Sequence, residues 1–141
     1  LLSSNIFAGD LIIAKMGDPV AKCTVIPNYI PRGLMSSDGI RLKVKQDSFD
    51  NYFIQLSINS SYFRKKTNEI STGTTRQRIG LQEFRKLTIS CPSIKEQKKI
   101  SRTLLSIQKS INCLKKEQLA IKKLKRGVSS NLLFGYTRVN V

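Results

Sequence analysis

Between Pro92 and Gly127 the hydrophobic and polar positions follow the period of a coiled-coil helix. Apolar residues recur there in alternating steps of four and three at Ile100, Leu104, Ile107, Ile111 and Leu114, and again one full heptad later at Ile121. This is the spacing of the two apolar positions of a heptad repeat. Since neither Gly nor Pro occurs from Ile94 to Arg126, the pattern predicts one helix on the order of 50 Å long. We expect its apolar seam to pack against a second long helix, with a core helix lying along its own globular domain as the alternative.

Both ends of this helix have sequence signals. Ser93 and Glu96 have the spacing of a capping box directly after Pro92, which predicts the start. At the other end, Gly127 follows two basic residues as a left-handed C′ glycine does. The segment 128–141 would then be a tail whose apolar residues Leu132, Leu133 and Phe134 fold back. The alternative is a helix that continues through Gly127, because Val128 extends the seam.

Polar and basic residues modify the seam. Gln118 and Lys125 occupy positions that the heptad reserves for apolar residues, and a polar residue there fixes register or partner at a cost in stability. We therefore include Gln118 in the predicted helix–helix interface. The rest of the helix is strongly basic, so two copies would repel each other in a homodimer. An acidic protein surface or a nucleic acid is the favoured partner.

Upstream of this helix the chain has the pattern of short strands separated by turns. The predicted strands are Asp10–Lys15, Val20–Ile26, Ile40–Val44 and Leu87–Cys91. The segment Pro27–Gly39 contains Pro31, Gly33 and an Asp-Gly pair, and is predicted to be a loop.

Two helical segments complete the pattern. Asp47 or Ser48 is predicted to cap a helix whose apolar stripe consists of Phe49, Phe53, Leu56 and Phe63. Leu81–Phe84 is predicted to form one further turn. The sequence thus predicts a mixed α/β (α+β) fold, with short strands and a helix followed by one long coiled-coil-forming helix.

Composition and charge limit the classes of partner that this chain is expected to bind. The 141 residues include 25 Lys and Arg against 9 Asp and Glu, a net charge of +16, and 40% are hydrophobic. This is enough for a modest core and one compact domain. Such a charge favours a polyanionic partner, and nucleic acid is preferred to a membrane because no basic amphipathic stretch has the aromatic face of an interfacial helix. No apolar run approaches the roughly 18 residues of a membrane span.

The segment Ile70–Gly80 is the strongest candidate for base contacts, because it combines small hydroxyl residues, a glycine, two arginines and a glutamine. Arg and Gln pair bidentately with guanine and adenine edges. The candidate base-contacting residues are Thr74, Thr75, Arg76, Gln77 and Arg78. The candidate phosphate-contacting residues, on strand and helix ends, are Lys43, Lys45, Arg64, Lys65 and Lys66. A solvated connection is the alternative interpretation of the segment.

Catalysis by this chain is poorly supported. The sequence has no His, which excludes His-dependent triads and His-based zinc sites. The carboxylates are scattered, and Asp10 and Asp18 are weak catalytic candidates. No metal or other cofactor is expected. The three cysteines are odd in number and share no metal-ligand spacing, which favours buried thiols in a reduced, cytoplasmic setting.

Several motifs together resemble the DNA-specificity subunit of type I restriction-modification systems. They are Gly9-Asp10-Leu11-Ile12-Ile13-Ala14-Lys15 with Gly17, the run from Ile89 through Pro92, Glu96 and Gln97 to Ile100, Leu124-Lys125-Arg126-Gly127, and Leu132-Leu133-Phe134-Gly135. Lys15 stands where Arg is frequent in the family, and Phe134 where Thr is common. The resemblance covers nearly the whole chain, and the start and end of the long helix are its most specific parts.

The resemblance implies a non-catalytic protein. In that family a mixed α/β target-recognition domain precedes a spacer helix, and two such helices pack antiparallel. The partners implied are double-stranded DNA, adenine methyltransferase (modification) subunits docked on the helices, the restriction subunit, and a second copy of the chain through the long helix. The implied division is part of a recognition domain at 1–91, a spacer helix at 92–127 and a tail at 128–141.

Two further expectations concern extent and class. The chain begins Leu1-Leu2 without Met and enters a strand pattern almost at once, so we interpret it as a piece of a longer protein with room for about half of a two-domain subunit at most. A coiled-coil assembly adaptor or an RNA-binding scaffold without base-specific contacts is the alternative function.

Overall fold

The computed structural model describes residues 4–73 and 76–139. The chain divides into two compact units, Leu1–Ser101 and Arg102–Val141. The strands are β1 (Asn5–Phe7), β2 (Leu11–Ala14), β3 (Cys23–Val25), β4 (Arg32–Leu34) and β5 (Gly39–Leu42). The helices are α1 (Asn51–Ile58), α2 (Ser61–Glu69), α3 (Leu81–Arg85) and α4 (Ile94–Leu133), and the last of these runs from the first unit into the second.

The centre of the first unit is a three-stranded antiparallel sheet in the order β3-β2-β5. Alternation along β2 places Leu11 and Ile13 in the core, as a half-buried strand requires. Phe53, Ile54 and Ile58 of α1 belong to the same buried cluster. The mixed α/β fold class and the three strands predicted between Asp10 and Val44 are confirmed, each strand shorter than its apolar run.

A two-stranded sheet, β1 with β4, was not foreseen. Its second strand, Arg32–Leu34, lies inside the segment Pro27–Gly39, so the prediction of a loop there is wrong in part. Gly33 faces Ile6 across the pair, and a Cβ atom at Gly33 would lie 3.2 Å from the Ile6 side chain. The Pro and Gly that predicted a loop are tolerated because the strand is short and has a single partner.

The predicted helix after Asp47 is two helices, and it starts later than expected. Asp50 is the cap, since its Oδ1 accepts the Phe53 amide at 2.8 Å. The helix is interrupted at Asn59, whose side chain pairs with the backbone of Cys23. Its Oδ1 accepts a hydrogen bond from Cys23 N–H at 3.1 Å, and its Nδ2 donates to Cys23 O at 2.8 Å. Ser60 then caps α2. The Asn59 side chain thus pairs with the edge strand β3 as a further strand would, and α1 ends where this pairing is made.

The segment Leu87–Cys91 has no strand partner, so the prediction of a strand there is wrong. Leu87 and Ile89 are nevertheless half-buried against the core, while Thr88 and Ser90 are exposed. The alternation of buried and exposed side chains is therefore present in a segment that pairs with none of the described strands. Periodicity alone does not distinguish such a segment from a strand of a sheet.

The predicted start of α4 is confirmed, and the prediction that it ends at Gly127 is wrong. The Glu96 amide lies 3.4 Å from Ser93 Oγ, and the helix begins at Ile94. It continues through Gly127 to Leu133. The left-handed glycine is Gly135, with φ +75°, and its amide donates to Leu132 O at 3.3 Å. This is the C-terminal glycine turn expected at Gly127, found eight residues later. Residues 128–133 are therefore helix rather than a tail that folds back.

Gly127→Ala is expected to stabilise α4. Gly127 lies in the helix interior, and a Cβ atom there would have no heavy atom within 4 Å. Because Gly in a helix costs about 0.5–1 kcal/mol relative to Ala, the substitution should raise helical ellipticity and the thermal midpoint. Gly135→Ala is the matched control and should lower both, because Ala is strained at positive φ. A lower midpoint for Gly127→Ala would contradict the continuous helix.

Candidate nucleic-acid interface

The two ends of the segment predicted to contact bases pair as the arms of a small hairpin. Thr72 and Arg78 exchange two backbone hydrogen bonds, at 2.9 and 2.8 Å. Gly73 has φ +102°, and a Cβ atom there would lie 2.6 Å from Arg76 O. Any side chain at 73 would therefore open the turn. Thr74 and Thr75 lie outside the described residues.

The base of this hairpin is joined to the end of β2 by backbone bonds. Gly17 N–H donates to Gln77 O at 3.2 Å, and Ile79 N–H donates to Lys15 O at 2.9 Å. Ile79 is fully buried. Backbone pairing and one buried side chain thus hold the loop, which leaves the side chains of Arg76 and Arg78 exposed.

Arg78 forms an ion pair with Asp38, just before β5, through Nη2 and Oδ1. The Arg78 side chain as a whole remains 56% exposed. Lys15 is also tied down here, since its Nζ donates to Ser37 O at 2.9 Å. The role of Asp38 was not evident from the sequence, because it lies 40 residues from Arg78 and no local pattern links the two.

Asp38 and Arg64 both line a groove of the first unit, of about 710 Å³. Its floor includes Ile12 and Ala14, on the face of β2 opposite the core. Arg64 Nε donates to Asn59 O at 3.1 Å, so it supports the break between α1 and α2 as well as facing the groove. Arg64 and Lys65 also line a shallow concavity along α2.

The remaining predicted phosphate contacts are dispersed. Lys66 Nζ lies 4.5 Å from the centre of the Tyr62 ring. Lys43 and Lys45 follow the end of β5 opposite to Asp38, and Lys43 Nζ lies 5.8 Å from the centre of the Phe7 ring. At about 3.3 Å per residue, β5 separates them from Asp38 by more than 10 Å. The structure therefore places Arg64 at the groove lined by Asp38, the ion-pair partner of Arg78, and leaves Lys43 and Lys45 elsewhere.

Gln97 has a structural role that the sequence analysis missed. Its side chain is 1% exposed and makes three hydrogen bonds: Oε1 accepts the Asp50 amide at 3.0 Å, and Nε2 donates to Ser48 O at 3.2 Å and to Pro92 O at 2.8 Å. Ser101 Oγ donates to Asp50 Oδ1 at 2.6 Å. The first two turns of α4 are thereby fixed to the N-terminus of α1. Gln97 belongs to the motif that carried the family resemblance, which is the one signal that could have singled it out.

The second unit consists of the rest of α4 and the residues after it. Its predicted seam residues are between 40% and 63% exposed, namely Leu104, Ile107, Ile111, Leu114 and Ile121, and Gln118 is exposed beside them. Ile100 differs, because it packs against the core of the first unit. The prediction that the free seam begins at Ile100 is corrected to Leu104. Since the helix continues past Gly127, Val128 and Leu132 extend the same heptad positions.

Other chemistry has little support among the described residues. Burial raises the pKa of the Cys23 thiol to about 12, so it stays protonated at neutral pH. No group of three or more Cys, Asp or Glu in residues 4–73 and 76–139 is placed to hold a metal ion. No helix in the same ranges is both long and apolar enough to cross a membrane.

Comparison with known proteins decides the family. Residues 3–123 match the family described as the type I restriction modification DNA specificity domain. The chain belongs to that family. This confirms the resemblance drawn from the motifs and the expectation of a non-catalytic specificity protein.

Individual members of this DNA specificity family agree. The type I restriction enzyme MjaVIII specificity subunit of Methanocaldococcus jannaschii is 30% identical over 99 residues, which are 70% of this chain and 23% of that protein. A second specificity subunit of the same organism, assigned to the MjaX enzyme, is 28% identical over 130 residues, 91% of this chain and 29% of that protein.

A solved structure has the same fold. The crystal structure of the HsdS subunit from Thermoanaerobacter tengcongensis matches with a TM-score of 0.70 at 14% identity, over 87% of this chain and 32% of that one. The chain thus spans between about a quarter and a third of the length of the proteins it matches.

Proposed function

We propose that the first unit of this DNA specificity domain recognises a double-stranded DNA target through the hairpin 72–78. The observation that carries this proposal is the hairpin itself, which is fixed to the sheet by backbone bonds and leaves Arg76 and Arg78 exposed. Discrimination between bases needs side chains held at a fixed register against the groove edge. A loop anchored through Gly17 and Ile79 meets that requirement.

The two arginines have different roles in this proposal. Arg78 is oriented by Asp38, which reduces the conformational entropy lost when its guanidinium meets a guanine edge. Asp38 also repels phosphate, so the pair favours base contact over backbone contact. Arg76 supplies a second bidentate donor, and Gln77, Thr74 and Thr75 complete the proposed set. Each bidentate pair contributes about 1–3 kcal/mol against the wrong base.

Phosphate contacts in this proposal come from cations outside the hairpin. Lys65 is exposed beside Arg64 on α2. The two side chains would bind the phosphate backbone of a duplex that lies against the groove lined by Asp38 and Arg64. Lys66, Lys43 and Lys45 would add sequence-independent attraction.

We further propose that the exposed apolar seam of α4 packs antiparallel against a second long helix, and that adenine methyltransferase and restriction subunits join there. The support is the row from Leu104 to Leu132, whose members lie in water in the isolated chain. Runs of exposed apolar residues of this length mark protein interaction surfaces. A second copy of the chain is one such partner, opposed by the repulsion between the basic helices.

Arg76→Ala and Lys65→Ala are expected to have different effects on DNA binding. In the chain assembled with methyltransferase subunits, selection from a pool of duplexes with randomised bases should yield a defined sequence. Arg76→Ala should relax the preference at one or two positions, because it removes a base contact worth about 1–3 kcal/mol. Lys65→Ala should weaken binding of all duplexes evenly, because it removes a phosphate contact.

Two outcomes would contradict this function. Equal loss of preferred and scrambled duplexes by Arg76→Ala would make the hairpin a phosphate clamp. Selection that yields no preferred DNA sequence, together with tighter binding of RNA, would favour the scaffold alternative. Arg85→Ala, an exposed arginine of α3, is the matched control and should leave the preference unchanged.

A further inference from the structure

The second unit carries a row of cations on the side of α4 opposite its apolar seam. Arg102, Lys109, Lys116 and Lys123 are spaced seven residues apart, and all four are exposed. Seven residues make about two helical turns, so these side chains form one column along the helix. Relative to the seam they occupy the heptad position that points away from the partner helix.

This column has no acidic counterpart on its own helix. The ion pairs found among the described residues, Arg41 with Asp10 and Arg78 with Asp38, include none of its members. Glu117 is the one acidic residue of the sequence from 102 onward, and three or four residues to either side of it stand Cys113, Leu114, Ala120 and Ile121, which are uncharged. The charge of the column is therefore not neutralised within the unit.

The neighbouring column on one side consists of small residues. Ser106, Cys113, Ala120 and Gly127 are also spaced seven residues apart. Their short side chains allow a large ligand to approach the helix closely beside the lysines. The column on the other side contains Leu105 and Leu119, which are exposed, so a protein is the competing ligand that the experiment must distinguish from DNA.

We propose that the Arg102, Lys109, Lys116 and Lys123 column binds the phosphate backbone of double-stranded DNA, independently of base sequence. The column is about 31 Å long at 1.5 Å per residue, close to the length of about 34 Å of one duplex turn. A polyanion with regularly spaced charges complements a regular cation row, whereas protein interface cores are depleted of charged residues. The proposal rests on the proposed DNA-binding function and assigns to the helix a part in it besides packing through its seam.

The test compares two triple substitutions with equal change in charge. One variant replaces Lys109, Lys116 and Lys123 with Gln. The other makes the same replacement at Lys115, Lys122 and Lys125, which lie on or beside the seam. Affinity of the chain for a duplex of about 30 base pairs is measured by fluorescence anisotropy between about 50 and 200 mM salt. Circular dichroism verifies that both variants keep the helix.

The first triple should lower the slope of log affinity against log salt by about 3, because each lost phosphate contact removes about 0.9. The second triple should leave the slope near that of the unsubstituted chain. Equal reductions in both would show diffuse attraction and overturn the proposal. So would an unchanged slope in the first triple, including one accompanied by loss of methyltransferase binding, which would assign the column to a protein surface.

Failure here is distinguishable from failure of the proposed function. If the column proposal fails alone, Arg76→Ala still relaxes sequence preference while the first triple binds as the unsubstituted chain does. If the recognition proposal fails alone, selection yields no preferred sequence while the first triple still lowers the salt slope. Absence of any duplex binding at the lowest salt would overturn both.

Discussion

Gln97→Leu is expected to destabilise the first unit by roughly 3–5 kcal/mol, because the leucine fills the volume and satisfies none of the three backbone groups that Gln97 binds. The Asp50 amide and the Ser48 and Pro92 carbonyls would each lose a partner. An unpaired backbone group in a buried site costs about 1–3 kcal/mol. The loss is a large share of the stability of a small domain.

The measurement is urea denaturation followed by circular dichroism. Gln108→Leu is the matched control, since Gln108 lies on the same helix, is exposed and bonds only Asn112 among the described residues. It should change stability by less than about 0.5 kcal/mol. A Gln97→Leu variant as stable as its control would mean that the start of α4 is held by apolar packing alone.

Ile107→Asp is expected to abolish association through the seam while leaving the isolated chain folded. Ile107 is 51% exposed in the single chain, so the substitution removes little from its fold. In a packed pair of helices the same position is buried, and an unpaired carboxylate there costs several kcal/mol. At about 1.4 kcal/mol per tenfold, the loss exceeds a factor of 100 in affinity.

Light scattering of the chain alone and capture by methyltransferase subunits measure this effect. Asn112→Asp introduces the same charge away from the seam, on an exposed residue of the same helix. It should assemble as the unsubstituted chain does. Unchanged assembly of Ile107→Asp would show that the seam from Leu104 to Leu132 is not the contact surface.

The sequence predicted features that depend on neighbours along the chain. The α4 start follows from Ser93 because a hydroxyl three residues before an amide can bind it without tertiary help. The helical stretch of α4 as far as Arg126 and the spacing of its apolar side chains follow from the heptad pattern and the lack of helix breakers. The buried strand β2 follows from a short apolar run between turn residues. The family was also legible, because its motifs lie in continuous runs.

Choices between local alternatives were decided by tertiary structure or by small differences in energy. The glycine turn that ends α4 lies at Gly135 rather than at the predicted Gly127, because the seven residues after Arg126 include no other helix breaker and Gly127 costs only about 1 kcal/mol inside a helix. Asn59 could have continued α1, but its amide completes the edge of β3. That pairing joins residues 36 apart in sequence, which no local pattern reports.

The candidate interface shows the same division. Composition alone made the segment around Arg76 and Arg78 the candidate for base contacts, since donors and small residues are adjacent there. Only the tertiary structure paired Arg78 with Asp38, 40 residues away, and separated Lys43 and Lys45 from the groove that Arg64 lines. It also gave Gln97 its three partners. Side-chain chemistry is set by residue type and is legible in the sequence, whereas the partners of a side chain depend on which distant segments the folded backbone brings within hydrogen-bond distance.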